Sequence, residues 1–155
     1  MTSNTQPSPK TVLVTGATGY IGGRLVPKLL EEGHTVKVLV RSPDKIAGVP
    51  WRASVEILES SLDDGDALRA ALSGVDVFYY LVHSMAAGAG FEAKEQAMAR
   101  AAAEAAAAAG VGRIIYLGGL HPKGVDLSTH MRSREAVGKV FLDCPVDAIV
   151  FQAGW

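Results

Sequence analysis

The sequence predicts an α/β protein built on a doubly wound parallel sheet of about six strands, with helices on both faces. Three observations predict it. Short β-branched runs alternate with helical segments along the chain. Residues 11–15 form a continuous apolar run that stops at a glycine, which is typical of a strand buried on both faces. A glycine-rich turn then leads into the first helical segment. Strands alternating with helices imply right-handed crossovers, and two such halves give the strand order 3-2-1-4-5-6.

Each element follows from a local pattern. The predicted strands span residues 11–15, 35–40, 55–58, 76–82, 113–117 and 146–151, and the predicted helices span residues 20–32, 64–72, 91–109 and 128–142. Gly33 and Gly74 end the first two helices. Asp63 or Asp64 caps the second helix. Residues 97–109 are nearly all alanine, which favours a helix packed closely against the sheet.

Composition limits the class of protein. A chain of 155 residues is long enough for one domain and too short for two. A net charge of -1 with 48% hydrophobic residues lacks the basic excess of a nucleic-acid binder. The single cysteine, Cys144, excludes an internal disulfide and favours a reducing, cytoplasmic setting. Residues 1–9 predict a disordered tail before a domain at 10–155, and no apolar run reaches the roughly 20 residues that span a membrane. We predict no metal site.

The glycine-rich turn at residues 16–22 carries the clearest functional pattern. It follows a buried strand and opens a helix, which is the context that dinucleotide binding requires. The first glycine permits the tight turn, the second lets the backbone approach a pyrophosphate, and the third allows close contact between helix and strand. The N–H groups and the positive end of the helix then face the phosphates. The sequence therefore predicts a Rossmann domain that binds NAD(P) through Gly16, Thr18, Gly19, Tyr20, Ile21 and Gly22. The alternative is a glycine-rich turn without a ligand.

The residue after the second strand predicts which dinucleotide is preferred. NAD sites place an acidic residue there for the ribose hydroxyls, whereas NADP sites offer arginine. Arg41 occupies this position, Ser42 can donate a further hydrogen bond, and Arg24 on the first helix could assist from the other side. NADP(H) is therefore favoured over NAD(H). The alternative is that Arg41 is an ordinary surface charge.

Three segments carry a family resemblance: VTGATGYIGGRLVPKLLEEGHTVKVLVR at the start, YYLVHSM after the fourth strand, and YLGGLHPKGVDLSTHMRSREAVGK from the fifth strand onward. They resemble the atypical, extended short-chain dehydrogenase/reductases, near the NmrA-like and NAD(P)-dependent epimerase-like members and the bacterial reductases with a carboxy-terminal DUF2867 domain. The similarity covers residues 10–154. In these families a substrate-binding lobe follows the sheet. We expect this chain to end before that lobe, either as a fragment or as a naturally short member.

The resemblance also points to a catalytic position that is altered here. Conventional members use a serine near the end of the fifth strand and a Tyr-x-x-x-Lys motif on the next helix, where the tyrosinate transfers a proton. Gly118 and Gly119 end the strand here, and His130 and Arg134 align with the tyrosine and the lysine. His130 could serve as the acid or base, and Arg134 could bind ribose or phosphate. The alternative is a surface His and Arg with no catalytic role.

Two further segments are candidate cofactor contacts by the same resemblance. Related proteins carry Gly-Asp-Leu after the third strand, near the adenine, where this chain has Ser60, Ser61 and Leu62. Ser61 replaces that carboxylate only partly, because a hydroxyl is a weaker acceptor. The segment Val82-His83-Ser84 aligns with residues that line the nicotinamide side. A structural role in the loop is the alternative for His83 and Ser84.

Two functions are compatible with these residues. The first is an NADP(H)-dependent oxidoreductase that acts on an unknown small carbonyl or alcohol compound, with His130 as the proton-transfer group. The second is a non-catalytic module that binds NADP(H) as a redox sensor or assembly subunit, which the loss of Ser and Tyr favours. A sugar-nucleotide epimerase would need the Tyr-x-x-x-Lys chemistry and a substrate lobe. The expected partners are the dinucleotide and a small molecule, without nucleic acid or membrane, and a homo-oligomer is left open.

Overall fold

A computed structural model describes residues 8–82, 90–119 and 129–153. They form one sheet of six parallel strands in the order β3-β2-β1-β4-β5-β6. The strands are β1 Thr11–Thr15, β2 Thr35–Val40, β3 Glu56–Glu59, β4 Val77–Tyr80, β5 Arg113–Gly119 and β6 Asp147–Ala153. The helices are α1 Tyr20–Glu31, α2 Gly65–Ala71, α3 Phe91–Ala109 and α4 Thr129–Asp143, and two 3₁₀ turns, Pro43–Ile46 and Arg52–Ser54, lie between β2 and β3.

The predicted fold class and strand order are confirmed, and each predicted element is present. Strand ends differ most, because a strand extends only as far as its neighbours do. β4 stops at Tyr80, two residues before the predicted end, since its partner β1 ends at Thr15, opposite Tyr80. β5 runs two residues beyond its predicted end because β6 continues beside it, with Gly119 opposite Ala153.

One face of the sheet is covered by α2, α3 and α4. Its centre is an aromatic cluster in which the Phe141 ring lies 4.9 Å from that of Tyr80 and 5.5 Å from that of Tyr116, measured between ring centroids. All three side chains are buried. α3 presents only small side chains to this core, namely Ala99, Ala102, Ala103, Ala105 and Ala106. Small residues let a helix approach closely, as the alanine-rich segment predicts.

The other face is covered by α1 and the two 3₁₀ turns. Val26 of α1 is fully buried against the valines of β1 and β2, and Ile46 and Trp51 complete this second core. Among the described residues, this cover does not extend over β5 and β6: Ile115, Ile149 and Phe151 belong to neither cluster of packed side chains, and Phe151 is 53% exposed. The two halves of the sheet are therefore packed differently.

None of the helices in the described parts of the chain is long and apolar enough to cross a membrane. Cys144 is a free, half-buried thiol. Within the same ranges, no three His, Cys, Asp or Glu side chains are grouped so that they could hold a metal ion.

Candidate functional site

The carboxyl ends of the parallel strands meet at one edge of the sheet, and most of the predicted cofactor contacts lie there. The turn at residues 16–22 follows β1, Arg41 follows β2, and Ser61 lies two residues after β3. From β1 the chain proceeds to β2 on one side, and from β4 to β5 on the other. In open α/β sheets, ligands bind at such a switch point, outside the carboxyl ends of the strands.

Gly16 makes a turn that no other residue type fits. Its φ of +80° lies in the left-handed region, and a Cβ at this position would lie 2.9 Å from the carbonyl oxygen of Leu81. The turn closes through a hydrogen bond in which the N–H of Gly19 donates to the carbonyl oxygen of Gly16 at 3.0 Å. The first glycine therefore both bends the chain and lets β1 and the segment after β4 come together.

Gly22 brings the start of α1 against this turn. A Cβ on Gly22 would overlap the carbonyl oxygen of Gly16 and lie 2.9 Å from the Cα of Ala17. Gly19 is different, because it is exposed and extended (φ −84°, ψ 175°), and its nearest neighbour would lie 3.3 Å from an added Cβ. Packing within the protein therefore requires glycine less strictly at position 19 than at positions 16 and 22. This is consistent with a glycine whose small size lets a ligand approach the backbone.

The first turn of α1 has open hydrogen-bond donors. The N–H groups of Tyr20, Ile21 and Gly22 have no acceptor within the described ranges, and the first turn has no side-chain cap and no acidic residue. Open amides and the positive end of the helix macrodipole together attract an anion. The space beside the three glycines and the open N–H groups of the first turn therefore fit the diphosphate of a dinucleotide.

The other residues of the turn are exposed. Thr18 is exposed, and Tyr20 and Ile21 are 71% and 48% exposed although both are large and apolar. Arg24, one turn further along α1, folds back so that its Cζ lies 3.5 Å from the centroid of the Tyr20 ring. The expectation that Arg24 assists Arg41 in the choice of dinucleotide stays a prediction.

Arg41 and Ser42 lie at the next strand end. Both are exposed, and no ion pair or hydrogen bond of the Arg41 side chain is found within the described ranges. Ser42 precedes the first 3₁₀ turn, where its carbonyl oxygen accepts a hydrogen bond from the N–H of Lys45 at 3.1 Å. The carbonyl oxygen of Val40 accepts from the N–H of Ser60 at 3.0 Å, which brings the segments after β2 and β3 together.

The segment after β3 is tied down locally. Ser61 Oγ lies 3.3 Å from a carboxylate oxygen of Asp63 and accepts the N–H of Asp63 at 3.2 Å. Asp64 is the cap of α2, since its carboxylate accepts the N–H of Ala67 at 3.0 Å. Of the two predicted caps, Asp64 is confirmed and Asp63 pairs with Ser61 instead. Leu62 is half-buried against the core of the α2–α4 face, so its cofactor contact stays a prediction, as does that of Ser61.

The catalytic candidates are described only in part. His83 and Ser84 lie outside the described residues, as does the side chain of His130, whose backbone belongs to α4. Val82 is half-buried after β4. Arg134 is half-buried on α4 and lies close enough to Tyr116 for its charge to act on the tyrosine hydroxyl.

The buried tyrosines do not replace the missing one. Burial raises the pKa of Tyr116 well above its ordinary value, the Arg134 guanidinium lowers it in part, and Glu95 raises it. Burial likewise raises the pKa of Tyr80, and Glu95 adds to the effect. Both hydroxyls therefore stay protonated near neutral pH, and neither supplies a tyrosinate.

Comparison with known proteins agrees with this geometry. The family model described as NAD(P)H-binding matches residues 16–143. The chain belongs to this NAD(P)H-binding family. Among curated relatives, ceramide reductase from Caulobacter vibrioides is 38% identical over 128 residues, which are 81% of this chain and 39% of that protein. The 3 beta-hydroxysteroid dehydrogenase/Delta 5→4-isomerase of Mycobacterium tuberculosis is 36% identical over 69 residues, or 44% of this chain and 18% of that protein.

Solved structures of other proteins share this fold. The NADPH-dependent quinone oxidoreductase of Escherichia coli, solved with NADPH, matches with a TM-score of 0.77 and 24% identity, over 93% of this chain and 49% of that one. Triphenylmethane reductase from Citrobacter matches with a TM-score of 0.77 and 19% identity, over 92% and 48%. An NmrA mutant matches with a TM-score of 0.76 and 19% identity, over 93% and 45%. These likenesses show the fold, and the chain spans about half the length of these structures.

The predicted resemblance to NmrA-like and epimerase-like short-chain reductases is thus confirmed. Several features of the site were not predicted. The approach of Leu81 to Gly16 joins residues far apart in sequence, and no local pattern indicates it. The contact of Arg24 with Tyr20 could have been predicted from the sequence, because residues four apart lie on one face of a helix.

Proposed function

We propose that this protein is an NADP(H)-dependent oxidoreductase that acts on a small carbonyl or alcohol compound. The observation that carries the NADP(H) preference is Arg41, an exposed arginine at the end of β2, where an NAD site would place a carboxylate. A planar guanidinium with several N–H donors suits the 2′-phosphate. The ceramide reductase and the NADPH-dependent quinone oxidoreductase among the relatives support a reductase of this kind.

The residues of this chain have distinct tasks in that function. When bound, the nicotinamide would supply or accept the hydride. The open amides of Tyr20, Ile21 and Gly22 hold the diphosphate, and Arg41 with Ser42 holds the 2′-phosphate. By the family resemblance, we assign Ser61 and Leu62 to the adenine, and Val82 and His83 to the nicotinamide. His130 transfers the proton, and Arg134, one turn later on α4, contacts ribose or phosphate.

A fluorescence titration with NADPH and NADH tests the cofactor preference. The wild type should bind NADPH more tightly, and Arg41→Ala should weaken NADPH by about tenfold or more while changing NADH little. Arg69→Ala is a matched control, because Arg69 is an exposed arginine on α2 whose pairing with Asp66 spans 3.9 Å. Tighter binding of NADH by the wild type would contradict the role of Arg41.

A non-catalytic NADP(H)-binding module is the second candidate. It is favoured by the end of β5, where Gly118 and Gly119 stand in place of the expected serine, and by His130, which stands in place of the expected tyrosine. NADPH consumption over a panel of quinones, aldehydes and ketones separates the two functions. Turnover that falls in His130→Ala supports the enzyme. Tight NADPH binding without turnover on any compound supports the sensor, and turnover unchanged by His130→Ala removes His130 as the proton donor.

A further inference from the structure

The first turns of α1 hold a positive charge where a helix disfavours one. Arg24 Nη1 donates to the carbonyl oxygen of Tyr20 at 3.1 Å, and its guanidinium lies over the Tyr20 ring. This holds the charge at Tyr20, the first residue of α1, near the positive end of the helix macrodipole. The first turn contains no acidic residue, and no carboxylate within the described ranges pairs with Arg24. The repulsion is relieved by an added anion.

Lys28 shows what an ordinary surface cation on this helix looks like. It lies four residues after Arg24, on the same face of α1. Its Nζ lies 3.6 Å from a carboxylate oxygen of Glu31, and both side chains are exposed. The charge of Lys28 is thus balanced by Glu31 within the same helix, whereas the Arg24 side chain reaches back towards the amino end of α1.

Tyr20 holds Arg24 in this position. The tyrosine is 71% exposed and belongs to neither core cluster, so its ring is not needed for packing. A guanidinium over an aromatic face gains a cation–π interaction and loses part of its freedom before any ligand arrives. A guanidinium has five N–H donors, and one of them reaches Tyr20. Within the described ranges no acceptor is found for the other donors, so they are available to an anion.

We propose that Arg24, positioned by Tyr20, is a second phosphate-binding cation of the dinucleotide site, in addition to Arg41. This rests on the proposed function, because the ligand is the dinucleotide held at residues 16–22. Phosphate is the group that matches a forked cation beside open amides. A dinucleotide carries phosphate in its diphosphate bridge and, in NADP(H), on the ribose. Arg24 is held at Tyr20, the first residue of the helix whose open amides we assign to the diphosphate, so the diphosphate is its expected partner.

Binding titrations of Arg24→Met with NADPH and NADH test the proposal. Methionine keeps much of the side-chain length and removes the charge. We expect about tenfold weaker binding of both dinucleotides, with less dependence on salt concentration than in the wild type. Lys28→Met is the matched control, and it should bind both dinucleotides as the wild type does.

The outcomes separate the claims. Equal losses for NADPH and NADH assign Arg24 to the diphosphate, and a loss confined to NADPH assigns it to the ribose phosphate; both support a phosphate contact. Unchanged binding in Arg24→Met, or an equal loss in Lys28→Met, overturns the proposal while leaving the proposed function intact. A wild type that binds neither dinucleotide overturns both.

The role of Tyr20 has its own test. Tyr20→Leu removes the aromatic ring and keeps the backbone amide, and it should weaken NADPH binding by about threefold. Combining Tyr20→Leu with Arg24→Met should add little to Arg24→Met alone, because the ring acts through the arginine. Full additivity of the two losses would contradict a positioning role. Thermal unfolding of each variant checks that the fold is retained.

Discussion

The two halves of the sheet differ in what they contribute. The half formed by β1, β2 and β3 carries the glycine turn, Arg41 and Ser61 at its carboxyl edge, and α1 and the 3₁₀ turns cover one of its faces. The half formed by β4, β5 and β6 carries the aromatic core beneath α3 and α4, and its opposite face leaves Ile115 and Ile149 outside both cores. The first half is equipped to hold a dinucleotide, and the second supplies most of the aromatic packing. We therefore expect that the aromatic core can be weakened without loss of cofactor binding.

The largest expected effect is on stability, at the centre of the second half. Phe141 is fully buried, and its ring contacts those of Tyr80 and Tyr116. Phe141→Ala should lower the free energy of unfolding by about 3–5 kcal/mol, measured by urea denaturation, because it leaves a cavity. Leu142→Ala is the control, since Leu142 is the next residue of α4 and is 58% exposed.

Phe141→Ala also tests the comparison itself. Under conditions where this variant is folded, it should bind NADPH with nearly the affinity of the wild type. A loss of binding in the folded variant would mean that the aromatic core shapes the dinucleotide site, and the separation of the two halves would fail.

In the glycine turn we expect a substitution to reduce NADPH binding strongly and stability only moderately. Gly22→Ala should lower NADPH affinity more than tenfold, because its Cβ would push α1 away from Gly16 and displace the amides. Its cost in stability should be about 1–3 kcal/mol. Gly23→Ala is the control: its Cβ would meet only Ala17 O at 3.5 Å, so it should bind normally and gain up to about 1 kcal/mol from better helix propensity. Similar binding by the two variants would contradict the role of Gly22.

The smallest effect is the pH dependence that Tyr116 contributes. Its pKa is raised in the folded protein, so it stays protonated while the unfolded chain ionises, and its contribution to stability is present below about pH 10 and lost as the pH rises further. Urea denaturation of Tyr116→Phe and the wild type at about pH 9 and about pH 11 measures this. The stability difference between them should shift in favour of Tyr116→Phe at the higher pH. A constant difference would contradict the raised pKa.

Much of the fold could be predicted from the sequence, because most of its elements are specified by residues close together in the chain. α3 matches its predicted bounds, since Gly110, with a φ of +77°, ends it and the alanine run fills it. Asp64 caps α2 through a contact three residues away. The extent of β4 and β5 was predicted less well, because it depends on the strands that lie beside them rather than on their own residues.

The site shows the same division. The glycine turn follows from the sequence because Gly16 and Gly22 are required by conformation and close approach within a few residues. The pairing of Ser61 with Asp63 was missed, because several polar residues there could satisfy one another in different ways. The influence of Arg134 on Tyr116 depends on how α4 packs on β5, which no short sequence pattern specifies.

The most direct test of the central claim, that the open amides of α1 hold the dinucleotide, is an NMR titration of the ¹⁵N-labelled protein with NADPH. The amide signals of Tyr20, Ile21 and Gly22 should be among those that shift most, because these N–H groups gain phosphate acceptors. Amides in the centre of β6, such as that of Ile149, should shift little. Shifts concentrated in β5 and β6, with the signals of residues 20–22 unchanged, would contradict the account.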